Sequence, residues 1–241
     1  PRVGALAPAH QGEPRDRANR RQSFAPDTLG NGQSTPPLQE APTLGQFAGA
    51  MEGFADALGL GAVDVYGTHT GAHIAIEWAI AAPKRVRRVI LDGVAVLSDA
   101  DRAEFLENYA PPQWPSADGA QFHWAWSFIR DQMIFWPHYK KDAAHLRQGG
   151  VFDAETLHEL TLDVLNNLET YHLPYRAVFQ HEVKARLALV RQPVLWLATA
   201  GAPLEPGASA ALERIADVRT AEIDHDAPPQ ARAEAIVEFL R

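Results

Sequence analysis

The feature that most restricts the fold of this chain is a short apolar run that passes through two glycines into a helix-forming stretch. It reads VDVYGTHTGAHIAIEWA, from Val63 to Ala79. The residues before Gly67 favour a β-strand, and those from Gly71 onward favour a helix that Pro83 ends. A strand that turns directly into a helix is typical of a parallel sheet covered by helices. We therefore predict that His69, between the two glycines, stands out at the carboxyl edge of such a sheet.

Short apolar strands and helices alternate along much of the chain. Thr43 is a good N-cap for a first helix, and Gly59 is a good stop for it. The predicted elements are helices over residues 43–58, 71–81, 208–216 and 230–240, and strands over residues 62–66, 86–91, 193–199 and 218–223. This order predicts an α/β protein with a mainly parallel sheet and helices on both faces.

Charge and composition argue against several kinds of partner. The chain has 22 Lys and Arg residues against 30 Asp and Glu residues, a net charge of −8, whereas nucleic acids and anionic membranes select basic surfaces. It contains no cysteine, and it has no apolar run of about 18 residues that could span a bilayer. We expect a cytoplasmic protein that binds a small-molecule substrate or ligand, with no nucleic-acid or membrane partner. The sequence leaves open whether the protein forms a homodimer.

The middle of the chain has a different composition. It looks mostly helical, and 14 of the 21 aromatic residues lie between Ser98 and Leu187. Such residues form the core of a helical insertion, line an apolar pocket under a lid, or do both. We predict that residues 98–187 form a lid on a core of residues 1–97 and 188–241. Trp124, Trp136 and His138 are the lid residues that we expect to reach a pocket.

Taken in order, these segments resemble the α/β-hydrolase superfamily from about Ser23 onward. The sequence G-x-H-x-G at 67–71 stands where that family has its G-x-S-x-G nucleophile elbow. The stretches PVLWLATAGAPLEP and VRTAEIDHDAPPQARAEAIVEFL resemble the family's acid-bearing and histidine-bearing strands and loops. The polar start of the chain departs from the family pattern, because His10 and Gly12 do not form the adjacent His-Gly pair. The resemblance implies a hydrolase that needs no cofactor.

At the turn itself, the resemblance places His69 where the family has a serine and the backbone N–H of Thr70 where an oxyanion is bound. Histidine has no hydroxyl that could form an acyl-serine. The partial positive charge of a helix N-terminus disfavours imidazolium, so we expect a neutral ring. Such a ring can accept a proton, attack an acyl group or polarise a carbonyl. The alternative is that the turn persists as architecture without its chemistry.

The other two positions of the family triad also depart from the pattern. Ala202 stands where the resemblance predicts the acid, and alanine cannot orient an imidazole. Asp92, at the end of an earlier strand, is a candidate substitute for that acid, unless it only closes the turn that follows it. His225 stands in the last loop between two aspartates, as the family base or as an exposed loop histidine.

Two further questions concern metal and reaction type. His69, His73 and Glu77 are spaced by four residues, which would place them near one helix face, but His69 lies on the bend; we therefore predict no metal site. The favoured reaction is hydrolysis of a small apolar or aromatic ester or lactone. The alternatives are a lyase or isomerase in which His69 moves a proton, and a catalytically inactive binder of small molecules.

Overall fold

A four-stranded parallel sheet forms the centre of the protein. The computed structural model describes residues 21–147, 152–199, 206–224 and 227–241. Within them the strands lie in sequence order, and every neighbouring pair is parallel. They are β1 (Val63–Thr68), β2 (Val86–Asp92), β3 (Val194–Thr199) and β4 (Val218–Ile223). The predicted fold class, a parallel sheet flanked by helices, is confirmed.

The helices cover both faces of this sheet. They are α1 (Leu44–Ala57), α2 (Thr70–Ala81), α3 (Asp99–Asn108), α4 (Ala120–Ile134), α5 (Ala154–Asn166), α6 (His172–Phe179), α7 (Val183–Leu187), α8 (Pro206–Leu212) and α9 (Pro229–Phe239). Successive residues of a strand point to opposite faces. In β2, Val89 and Leu91 therefore join the larger core with α1 and α2, whereas Ile90 joins a smaller core with Phe239 of α9. No helix among these described residues has the length and apolar character required to cross a bilayer.

The capping residues and turn residues of the sequence predicted the ends of these helices and strands to within a few residues. In α1, Gln46 Oε1 accepts a hydrogen bond from the N–H of Thr43 at 2.7 Å, and Gly59 follows the helix with φ of 63°. The strand β1 runs two residues beyond the predicted end at Tyr66, because Thr68 pairs with Asp92 of β2. Pairing between strands thus extends β1 through a glycine that ends the strand pattern in the sequence.

Between β2 and β3, the described residues form the helices α3 to α7, which we call the inserted helices. Their aromatic residues pack against one another and belong to the same core as the sheet. The ring of Phe105, for example, lies 5.3 Å from that of Phe179, and Phe128 lies 5.4 Å from Tyr171. Many of these aromatic residues are therefore core residues, whereas Trp114, Phe122 and Trp136 remain exposed. The domain division at residues 98 and 188 stays a prediction.

Candidate active site

The turn between β1 and α2 has the backbone conformation of a strained elbow. His69 has φ of 48° and ψ of −114°, and it is the one non-glycine residue with positive φ in the described ranges. A residue in such a region costs about 1–3 kcal/mol and persists where its surroundings hold it. Here the N–H of His69 donates to the Asp92 carbonyl at 2.9 Å, and the His69 carbonyl accepts from the N–H of Ala72 at 3.0 Å. These two bonds hold the turn between strand and helix.

The two glycines of the elbow have different roles. A Cβ on Gly67 would overlap the carbonyl of Gly71 and would lie 2.6 Å from the backbone nitrogen of Ala72. A Cβ on Gly71 would meet no atom within 4 Å. The first turn of α2 therefore passes so close to Gly67 that no side chain fits there, whereas Gly71 faces open space.

The imidazole of His69 is exposed to solvent and rests against the backbone of Gly93, the residue after β2. A Cβ on Gly93 would lie 2.8 Å from both Nδ1 and Cε1 of His69. Gly93 itself has φ of 63°, a conformation that glycine adopts at little cost. The loop after β2 thus forms a bare backbone platform for the ring.

Replacement of Gly93 by alanine is expected to displace the His69 ring and to lower the free energy of unfolding by about 1–3 kcal/mol. Gly119→Ala is the matched control, because Gly119 has φ of 75° but its Cβ would meet only Phe122, at 3.6 Å. NMR resonances of the His69 ring and urea unfolding measure the two effects. A His69 resonance that moves equally in both variants would contradict this account of the platform.

Asp92 lies beside the elbow, but its carboxylate is directed to other partners. Its Oδ2 atom accepts a hydrogen bond from the Tyr66 hydroxyl at 2.9 Å. Arg232 Nε lies 2.8 Å from the same oxygen, as an ion pair without hydrogen-bond geometry. Partial burial, together with the negative Asp92 carboxylate, raises the pKa of Tyr66 to about 12. In the structure Asp92 is joined to His69 through its backbone carbonyl, and its role as the acid stays a prediction.

The remaining predicted catalytic positions are placed as follows. Thr70 is the first residue of α2, and the N–H groups of a first helical turn have no carbonyl partner within the helix. Its N–H therefore remains the predicted oxyanion donor. His225 and Ala202 lie outside the described residues, so the predicted role of His225 is untested.

The predicted pocket residues of the inserted helices lie in or beside the aromatic core. His138 is buried, with Nε2 2.7 Å from the Tyr109 carbonyl, so this nitrogen carries the proton and donates. Burial lowers the pKa of His138, against the opposing effect of that hydrogen bond. Trp124 stacks on Phe128 at 5.1 Å, and Trp136 is 44% exposed. Their part in substrate binding stays a prediction.

Four polar side chains form a second polar cluster, which the sequence did not reveal. His73 is completely buried, and its Nδ1 lies 2.8 Å from Nδ1 of His181. The Nε2 of His181 lies 2.8 Å from Oε1 of Glu77. Arg186 donates to both Glu77 oxygens at 2.7 Å. We call these four residues the histidine chain.

The charge state of this cluster follows from its surroundings. Burial, followed by the neighbouring His181 and His69, lowers the pKa of His73 to about 3. Burial alone would raise the pKa of Glu77, but hydrogen bonds from His181 and Arg186 outweigh it and lower that pKa to about 2. At neutral pH, His73 is therefore neutral and Glu77 is an anion. The spacing of His73 and Glu77 is the one signal in the sequence; as a metal set it is rejected above, and it does not indicate a hydrogen-bonded cluster.

In the described part of the chain, no three or more His, Cys, Asp and Glu side chains are grouped as metal ligands would be. A separate open depression of about 440 Å³ lies beside Gly61 and Lys84. These residues precede β1 and β2, so the depression is at the opposite edge of the sheet from His69.

Comparison with known proteins identifies relatives for this architecture. The chain is 36% identical over 87 residues to the dihydrolipoyllysine-residue acetyltransferase component of the acetoin cleaving system of Cupriavidus necator. That match covers 36% of this chain and 23% of the relative, so the chain spans less than two thirds of that protein's length.

Solved structures share the fold at low identity. Epoxide hydrolase A from Mycobacterium thermoresistibile has a TM-score of 0.65 and 22% identity, with 90% of this chain and 82% of that chain covered. The enol-lactonase from Burkholderia xenovorans has a TM-score of 0.59 and 18% identity, with 89% and 78% covered.

The family comparison decides the assignment. The model of the alpha/beta hydrolase fold matches residues 7–146, which is more than half of the 241 residues. This range contains β1, the His69 elbow, α2 and β2, with the strand-turn-helix geometry described above. The chain therefore belongs to the α/β-hydrolase fold family.

Proposed function

We propose that this protein hydrolyses an ester or lactone bond in a small, apolar or aromatic substrate, with His69 as the general base. One observation carries the proposal: His69 is an exposed imidazole held at positive φ at the N-terminus of α2. The strain of that conformation is concentrated on the residue that would meet the substrate. Because strained residues of this kind cluster at active sites, the conformation supports a functional role for His69.

The chemistry requires no hydroxyl nucleophile from the protein. An unprotonated nitrogen of His69 accepts a proton from a water molecule while the water oxygen attacks the acyl carbon. The electron pair of the carbonyl moves to its oxygen, near the N–H of Thr70. When the tetrahedral intermediate collapses, the bond to the leaving oxygen breaks, and the imidazolium returns the proton to that oxygen. The products are a carboxylic acid and an alcohol, and His69 is regenerated.

Family membership supports a hydrolytic reaction, and the similarity to an enol-lactonase structure supports an acyl bond as the target. An apolar or aromatic substrate is supported by the aromatic residues of the segment between β2 and β3, among them Trp124 and Trp136. Trp136 in particular keeps an exposed face. Aromatic side chains of this kind bind apolar groups through large contact areas.

Substitution of His69 tests the proposal. With short nitrophenyl esters and lactones as substrates, His69→Ala is expected to lower kcat/KM by about 100-fold or more, the range attributed to a general base. His69→Gln should be equally impaired, because glutamine fills the space but cannot accept the proton. His158→Ala removes an exposed histidine of α5 and serves as the control for background hydrolysis by surface imidazoles.

Three outcomes decide between the candidates. Equal turnover by wild type and His69→Ala would refute the mechanism. An acyl adduct on His69, detected by mass spectrometry, would show that His69 acts as a nucleophile and not as a general base. If no ester or lactone is hydrolysed and an aromatic ligand quenches tryptophan fluorescence, the protein is a binder and the hydrolase proposal fails.

A further inference from the structure

We propose that His73 is a positioning residue for His69, and that the histidine chain holds the backbone platform on which the His69 ring rests. The catalytic consequence of this inference rests on the proposed function. The geometry itself can be tested without any substrate. The histidine chain joins three parts of the molecule: helix α2, the loop after β2, and the end of the inserted helices at His181 and Arg186.

The direction of the hydrogen bonds in the histidine chain can be derived from its end at Ala95. The backbone N–H of Ala95 lies 3.2 Å from Nε2 of His73. Because a backbone N–H can only donate, this Nε2 is an acceptor and carries no proton. A neutral His73 ring then carries its proton on Nδ1, and it donates that proton to Nδ1 of His181 at 2.8 Å.

The other end requires the same direction. Since Nδ1 of His181 accepts, the proton of this ring is on Nε2, which donates to Glu77 Oε1 at 2.8 Å. The Glu77 carboxylate accepts only, and the two nitrogens of Arg186 donate to both of its oxygens. The histidine chain thus runs from an obligatory donor, the N–H of Ala95, to an obligatory acceptor, the carboxylate of Glu77. A single arrangement of protons therefore satisfies all of its members.

What this arrangement holds is the loop next to His69. Ala95 lies two residues after Gly93, in backbone without regular secondary structure between β2 and α3. Gly93 lies against the His69 ring, and His73 lies in the first turns of α2, the helix that begins at the His69 elbow. Helix α2 therefore positions the ring through the elbow and fixes the platform under the ring through His73.

A merely structural role would not depend on which nitrogen of His73 is replaced. Two variants separate the nitrogens. His73→Gln places an amide oxygen near the position of Nε2 and can accept from Ala95, but it loses the donor to His181. His73→Asn places an amide nitrogen near the position of Nδ1 and can donate to His181, but it leaves Ala95 without an acceptor.

Tautomers of the unmodified protein provide the first test. Long-range proton–nitrogen NMR spectra of histidine-labelled protein should show His73 protonated on Nδ1 and His181 protonated on Nε2. The opposite assignment for either ring, or averaging between the two, would overturn the proposed direction of the chain. This measurement needs no variant and no substrate, so it remains decisive if the His73 variants do not fold.

The variants provide the second test. His73→Gln is expected to keep the His69 ring resonances and most of the ester hydrolysis, whereas His73→Asn shifts those resonances and lowers kcat by about 10-fold or more. The two variants should lose similar free energies of unfolding, so stability alone cannot produce the difference. Identical His69 resonances in the two variants would refute the positioning role. If no ester is hydrolysed, the proposed function fails, and the resonances still decide this inference.

Discussion

Replacement of Gly67 by alanine is expected to lower the free energy of unfolding by more than about 3 kcal/mol, or to prevent folding. The added Cβ would overlap the carbonyl of Gly71 and the backbone nitrogen of Ala72. These are backbone atoms at the start of α2, so no rotamer change can relieve the overlap. Either α2 must move away from β1, or the elbow must open.

Gly71→Ala is the matched control for this prediction. It adds the same methyl group four residues later, where no atom lies within 4 Å. Gly71 lies inside α2, and alanine in a helix is more favourable than glycine by about 0.5–1 kcal/mol. Urea unfolding should therefore show an unchanged or slightly more stable protein. Similar stabilities for Gly67→Ala and Gly71→Ala would contradict the close approach.

Acidification to about pH 4 is expected to lower the free energy of unfolding by about 3 kcal/mol through His73 alone. The pKa of His73 falls from 6.5 to about 3 on folding, so between these values the unfolded chain binds a proton that the folded protein excludes. The stabilisation is complete above about pH 6.5 and is lost progressively as the pH falls toward 3. Glu77, with a folded pKa of about 2 against 4.5, adds a second loss below about pH 4.5.

The comparison of wild type with His73→Gln isolates this contribution from the other titrating groups. Glutamine does not titrate, so the variant should lose less stability than wild type as the pH falls from about 7 to 4. The exposed His158 is the control position, and His158→Gln should follow the wild-type curve. Parallel curves for wild type and His73→Gln in urea unfolding would show that His73 is not held neutral in the folded protein.

Several structural elements could be predicted from the sequence because their signals are local. The strand β3 and the Val89–Leu91 part of β2 are apolar runs such as buried parallel strands require, and β4 was predicted with its exact bounds. The two glycines around His69 predicted the turn, and the structure shows that only Gly67 is required there, because the start of α2 passes close to it. The predicted bounds were wrong at α8, which the structure places at Pro206–Leu212 against the predicted 208–216. No side-chain period marks the end of so short a helix.

The candidate site was harder to predict than the fold. The two glycines of the elbow have the same chemistry, and only the path of α2 distinguishes Gly67 from Gly71. His73 and Glu77 share a helix face, but the residue that joins them, His181, is 108 positions from His73. A partner so distant leaves no periodic signal in the sequence. The spacing of the pair therefore raised only the question of a metal site, which was rejected, and did not indicate a hydrogen-bonded chain.

The sequence by itself determined the class of fold, the position of the elbow and the imidazole that occupies it. These properties follow from contacts among near neighbours in the chain and from the period of apolar residues. Only the tertiary structure decided that Gly93 supports the His69 ring, that Asp92 is bound to Tyr66 and Arg232, and that His73 is buried and neutral. The reason is that these hydrogen bonds join atoms from distant segments, and that burial removes a side chain from water only when such segments pack together.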